Sequence, residues 1–143
     1  MTVRIPRELW ARIREHLEAG YPYEQCGILV GRTLGEDVVV EAIRESQNLV
    51  VDRKADRYEI DPRDQLVAER DLAVSGRVVV GYYHSHPDHP ARPSETDAAF
   101  AWPRTVYVIV SIEKGAAKAA TAWVLRESER RFDEVMLDVE PTK

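Results

Sequence analysis

Within His84-Ser-His86-Pro-Asp-His-Pro-Ala-Arg-Pro-Ser94-Glu-Thr-Asp97, three side chains stand at spacings that suit a divalent metal. In an extended chain alternate side chains share a face, so His84 and His86 can offer two imidazole nitrogens to one ion. Asp97 opens a helix behind a proline-stiffened loop that can turn the chain back, and it supplies a third ligand. Two histidines and one carboxylate form a catalytic zinc set. They leave the fourth tetrahedral position for water, whose pKa zinc lowers to about 7. Such a water needs a general base. Glu24, at the entrance to the apolar run that starts at Cys26, is the candidate; Glu18, Glu36, Glu41, Glu45 and Glu59 are other available carboxylates.

The same residues have plainer readings. Ser94-Glu-Thr-Asp97 has the spacing of a capping box, in which serine and an acidic residue satisfy each other's backbone N–H groups. A metal-ligating Asp97 is expected to give up that reciprocal cap to Glu95 or solvent. Cys26 begins an apolar run beside Gly27 and reads as a buried thiol. His16 lies on a helix and packs or caps there, and His89 in the proline-rich loop faces solvent.

Elements able to position these groups are legible in the spacing of apolar residues. Leu9, Ile13 and Leu17 recur at helical intervals after Pro6, and Gly20 and Pro22 end that helix. Cys26 to Gly31 and Val38 to Ile43 form a hairpin across Gly35. Asp61-Pro62 starts a second helix, with Leu66, Val67, Ala73 and Val74 as its buried stripe and Ser75-Gly76 as its end. Arg77 to His84 is a strand running into the histidines, with Pro87 stopping its pairing. Ser94 to Trp102 is a short helix. Thr105–Ile112, Ala119–Arg126 and Phe132–Val139 complete a mixed α/β chain with mostly sequential strands.

Composition narrows the classes. The 143 residues, 44% hydrophobic and 31% charged, suffice for one cored domain. No apolar run approaches the roughly 20 residues of a membrane-spanning helix. Met1-Thr-Val-Arg-Ile-Pro lacks the features of a secretory signal, which makes the cytoplasm the expected location. A net charge of -5 argues against nucleic-acid and anionic-membrane partners. The single cysteine rules out an intrachain disulfide, a multi-thiolate zinc site and a zinc deaminase with its Pro-Cys-x-x-Cys segment.

Glu24 with Cys26-Gly27, then His84-Ser85-His86-Pro87, six residues, Ser94, two residues and Asp97, resembles the motif of the JAMM (MPN-plus, Mov34-type) zinc metallopeptidases with every position filled. Tyr21 to Gly31 is similar to the short prokaryotic branch, and the resemblance runs from about residue 5 to residue 125. It implies an α/β fold, a mixed β-sheet flanked by helices in a JAMM/MPN, cytidine-deaminase-like architecture. The chain is then one domain over 1–143, with a core at about 5–126 and a C-terminal strand and tail over 130–143.

The resemblance further implies that His84, His86 and Asp97 bind Zn²⁺, that Glu24 works through the metal water, and that Ser94 helps stabilise a tetrahedral oxyanion. Its activity would be hydrolysis after the C-terminal tail of a ubiquitin-like or sulfur-carrier protein, one form of which releases cysteine or another amino acid. That tail is expected to lie extended along a sheet edge. At this length the chain has little room for insertions that read polyubiquitin linkages. A non-catalytic scaffold of the same fold, and a zinc peptidase acting on unrelated small peptides, are the other readings.

Overall fold

The computed structural model describes residues 1–51, 57–126 and 128–140. Seven strands, β1 (Thr2–Ile5), β2 (Cys26–Leu34), β3 (Asp37–Ser46), β4 (Val78–Pro87), β5 (Val106–Glu113), β6 (Ala116–Arg126) and β7 (Arg131–Val139), close into a barrel in the order β1-β3-β2-β4-β5-β6-β7. Pairing is mixed: β4 with β5 and β1 with both its neighbours are parallel, and the others are antiparallel. The mixed sheet flanked by helices is thus the observed fold, with closure as an added feature. No described helix is long and apolar enough to cross a membrane.

Strand alternation sorts the sheet into two faces. Val3, Ile5, Leu29, Val40, Tyr83, Val108, Val110 and Ile112 form the main core with Ile13 and Leu17 of α1 (Arg7–Ala19). These two helix residues are the stripe that the sequence periodicity marks. Ile28, Val30 and Tyr82 face the other way, toward Ala68 and Leu72 beyond α2 (Pro62–Val67). This second face carries His84 and His86, because each lies an even number of residues from Tyr82.

Four expectations change. β1 escapes sequence reading: it offers only Val3 and Ile5, and its partners β3 and β7 are distant in the chain. The second helix starts at Asp61, whose side chain accepts from the Arg63 N–H, but it passes into a π-helical turn over Ala68–Leu72. Ala68 takes the buried place, Leu66 is exposed ahead of this turn, and Val74 is exposed beyond it, because the helix ends at Leu72 and not at Ser75-Gly76. Pro87 does not end pairing: it stands opposite Ile112, and the Asp88 N–H donates to the Ile112 carbonyl. The third helix, α3, is shorter than expected, Glu95–Phe100. Residues 141–143 of the expected tail lie outside the described residues.

At Gly81, where β4 passes β5, an added Cβ would run into the Val106 carbonyl, backbone that cannot swing aside. Gly81→Ala is expected to destabilise the fold by about 1–3 kcal/mol, the usual cost of overpacking. Denaturant unfolding measures it, and an unchanged midpoint would contradict the close approach.

Candidate metal centre

His84 and His86 leave the same face of β4 near its C-terminal end and are both buried. Their Nε2 atoms lie 3.2 Å apart. Asp97, at the start of α3, brings Oδ2 to 3.1 Å from His86 Nε2 and Oδ1 to 3.3 Å from His84 Nε2. A tetrahedral zinc with bonds of about 2.0–2.1 Å holds its ligand atoms roughly 3.3 Å apart, so this donor set has the size and chemistry of a zinc site. It is the group of metal-capable side chains found among the described residues.

Hydrogen bonding selects the lone pairs. His86 Nδ1 donates to the Pro90 carbonyl at 2.8 Å, so in the neutral imidazole Nε2 keeps its lone pair for the cluster. Around His84 the setting is apolar: Tyr58 stacks on the ring at a centroid distance of 4.3 Å, and Nδ1 is buried with no partner among the described residues. Burial pushes the His84 pKa down against the pull of Asp97, favouring the neutral imidazole a metal requires. Burial acts the same way on His86, but its bonds to Asp97 and Pro90 carry it above the ordinary value. Asp97 is half-buried, which pushes its carboxyl up, yet His84, His86 and the Ser94 N–H together hold it well below the usual carboxylate range.

Asp97 corrects one expectation. It makes the reciprocal cap as well as facing both histidines: Ser94 N–H donates to Asp97 Oδ2 at 2.8 Å, and Asp97 N–H donates to Ser94 Oγ at 3.0 Å. Carboxylate oxygens have lone pairs enough for both tasks, so the two readings coexist.

Glu24 is 4% exposed, in the loop between α1 and β2. Ser85, between the two histidines, fixes the neighbouring residue on both sides: Gln25 N–H donates to Ser85 Oγ at 2.9 Å, and Ser85 N–H donates to the Gln25 carbonyl at 3.1 Å. Glu24 and Asp97 also act electrostatically on His86, Asp97 through the stronger contact. Ser94 is exposed at the rim. Cys26 is fully buried and its thiol is pushed up to about 12, chiefly by burial, which excludes a thiolate nucleophile. His16 Nδ1 meets Tyr83 Oη at 2.7 Å, and His89 is exposed, both as the sequence suggests.

Two residues without a sequence signal complete the site. Asn48 is buried and uses its whole amide: Nδ2 donates to the Glu24 and Arg57 carbonyls, and Oδ1 accepts from the Val50 and Glu59 N–H groups. It thereby ties the Glu24 loop to the segment carrying Tyr58. Tyr58 in turn lines a cavity of about 600 Å³ beside Asp97, with Ile60, Tyr82, Trp102 and Tyr107 among its walls. An asparagine that matters through four backbone contacts leaves no pattern in the sequence.

Residues 6–126 match the family described as prokaryotic homologs of the JAB domain. The chain belongs to this family. It is 34% identical over 99 residues to a desampylase of Haloferax volcanii, covering 68% of this chain and 69% of that protein. It is 33% identical over 109 residues to a probable TtuB-protein conjugate cleaving protease of Thermus thermophilus, covering 76% and 70% respectively. A solution structure of a Desulfitobacterium hafniense protein superposes with a TM-score of 0.83 at 30% identity, over 98% of this chain and 94% of that one. The JAB match spans every element of the site, from the Glu24 loop through β4 to α3 and the strands β5 and β6 beneath them.

Proposed function

We propose that this chain is a single zinc metallopeptidase domain that hydrolyses the bond following the C-terminal tail of a ubiquitin-like or sulfur-carrier protein. The observation that carries this reading is the trio His84, His86 and Asp97 at tetrahedral-edge separations beside a buried, backbone-anchored Glu24. The likeness to a desampylase and to a probable TtuB-protein conjugate cleaving protease supports the substrate class.

Zinc held by the three side chains would supply a Lewis acid for the scissile carbonyl and bring the pKa of water near neutrality. The chain's own groups do the rest. Glu24 accepts the proton of the attacking water on its carboxylate and returns it to the leaving amine. Ser94 Oγ spends a lone pair on the Asp97 N–H, which leaves its hydroxyl hydrogen free to donate to the developing oxyanion. Tyr58, Tyr82, Trp102 and Tyr107 give the cavity next to Asp97 aromatic walls that can receive an extended segment. Because the barrel is closed, that cavity takes the place of the sheet edge expected to hold the tail.

The test is incubation of zinc-loaded protein with small ubiquitin-like carriers extended by one or more residues beyond their tails, read by intact mass. Loss of the extension, blocked by a chelator, is expected; intact carriers throughout would overturn the proposal. Ser94→Ala is expected to lower kcat by about 10²-fold, with KM little changed, through loss of the oxyanion donor. It should also cost about 1 kcal/mol of stability through loss of the cap. Steady-state kinetics beside denaturant unfolding separates the two roles, and an unchanged kcat would leave Ser94 as a cap alone.

A further inference from the structure

The segment from Asp88 to Pro93 joins the histidine strand to the helix that bears Asp97, and it governs whether the third donor meets the other two. Pro90 and Pro93 remove two N–H groups from this stretch, whose own backbone supplies the Arg92 N–H to the Pro90 carbonyl at 2.8 Å and the His89 N–H to the His86 carbonyl at 3.4 Å. Side chains of the sheet fasten it further, at three consecutive carbonyls. Ser111 Oγ donates to the His89 carbonyl at 2.6 Å, His86 Nδ1 donates to the Pro90 carbonyl at 2.8 Å, and Thr121 Oγ1 donates to the Ala91 carbonyl at 2.6 Å. Ser111 belongs to β5 and Thr121 to β6, so the middle rung, which sets the tautomer of His86, lies between two rungs anchored in the barrel.

The Thr121 hydroxyl is itself held. Trp123 Nε1–H donates to it at 2.6 Å, leaving the hydroxyl hydrogen to Ala91. Donation into an oxygen that is donating onward strengthens both bonds. Ala91 is buried, so an unpaired carbonyl there would be costly to leave unmet by water.

We propose that Thr121, supported by Ser111, is a positioning residue for the metal: it sets zinc affinity from β6, without touching a ligand. This rests on the metal reading of His84, His86 and Asp97. The hydroxyl fixes Ala91, Ala91 fixes the Pro90 carbonyl beside it, and that carbonyl keeps the His86 lone pair aimed at the place to which Asp97 returns.

The experiment is competition for zinc between the protein and a chromophoric chelator, with wild type, Thr121→Val, Thr121→Ser and Ser111→Ala side by side. Thr121→Val keeps the shape and removes the hydroxyl; it is expected to weaken zinc binding about 10-fold, the lower end of what outer partners of a ligating histidine contribute. Thr121→Ser, which restores the hydroxyl, should return affinity close to wild type. Ser111→Ala frees the rung on the other side and should weaken binding similarly, so the inference can be read even if Thr121→Val fails to fold. Wild-type protein that takes up no zinc would overturn the metal reading itself. Wild-type binding matched by Thr121→Val or Ser111→Ala would overturn this inference alone, as would an equal loss in Thr121→Ser.

Discussion

Glu24→Gln is expected to keep one zinc per chain and to lower kcat by about 10²–10⁴-fold, the usual contribution of a positioned acid–base group. The substitution preserves shape and removes only the ability to take a proton. The other carboxylates that the sequence offers, Glu36 among them, are engaged elsewhere or exposed. Glu18 accepts from the Ala117 N–H, Glu41 pairs with Arg32 and Arg77, and Glu45 faces His16. Glu59 shares the cavity but is exposed to solvent. Glu24 cannot drift, since Asn48 holds its carbonyl and Ser85 holds Gln25 through both backbone groups. Zinc analysis beside turnover is the measurement, and near-normal turnover with full zinc would remove Glu24 from the chemistry.

Asp97→Asn has the other large consequence. The amide keeps an acceptor for the Ser94 N–H but loses the charge that balances a dication between two buried imidazoles. Zinc affinity is expected to fall by more than about 100-fold, beyond what outer partners contribute, and hydrolysis should fall to background. Stability reports the same event without a substrate. Zinc at roughly 1,000 times its Kd adds about 4 kcal/mol to a protein that binds it only when folded. Thermal unfolding of wild type should rise with zinc and return with chelator, while Asp97→Asn should show no such rise. A variant that still copurifies with zinc would mean the ligand set is different.

The site was legible where chemistry imposes a spacing. His84 and His86 are two apart because a strand repeats every two residues, and Asp97 follows a loop whose prolines forbid both helix and ladder. The capping and metal-ligand readings of Asp97 were both visible in sequence, but not that one carboxylate can cap Ser94 and face both histidines at once. Groups that act through the backbone were silent: Asn48, Ser111 and Thr121 are ordinary polar residues until the fold brings distant carbonyls to them. The elements divide similarly. α1 and the β2–β3 hairpin were readable because their partners are near in the chain or their stripe is periodic. β1 was invisible because four residues hold too little pattern, and the stripe of the second helix was misplaced because the helix widens into a π-helical turn and ends at Leu72, leaving Ala73 and Val74 outside its repeat.

The pairing of β1 with β7 also bears on the order in which the molecule assembles. Arg4 and Asp138, joined across that seam, are 134 residues apart, whereas His86 and Asp97 are separated by 11. Closing the longer loop costs about 4 kcal/mol of chain entropy and the shorter about 2 kcal/mol on the same logarithmic scale. Long-range pairing of this kind slows folding, and the seam gains its contacts only after the intervening chain is in place. The ligand segment rests on β2, β4, β5 and β6, strands that follow one another in the sheet. The slow step of folding and the cluster of two histidines and an aspartate therefore reside in different parts of the barrel.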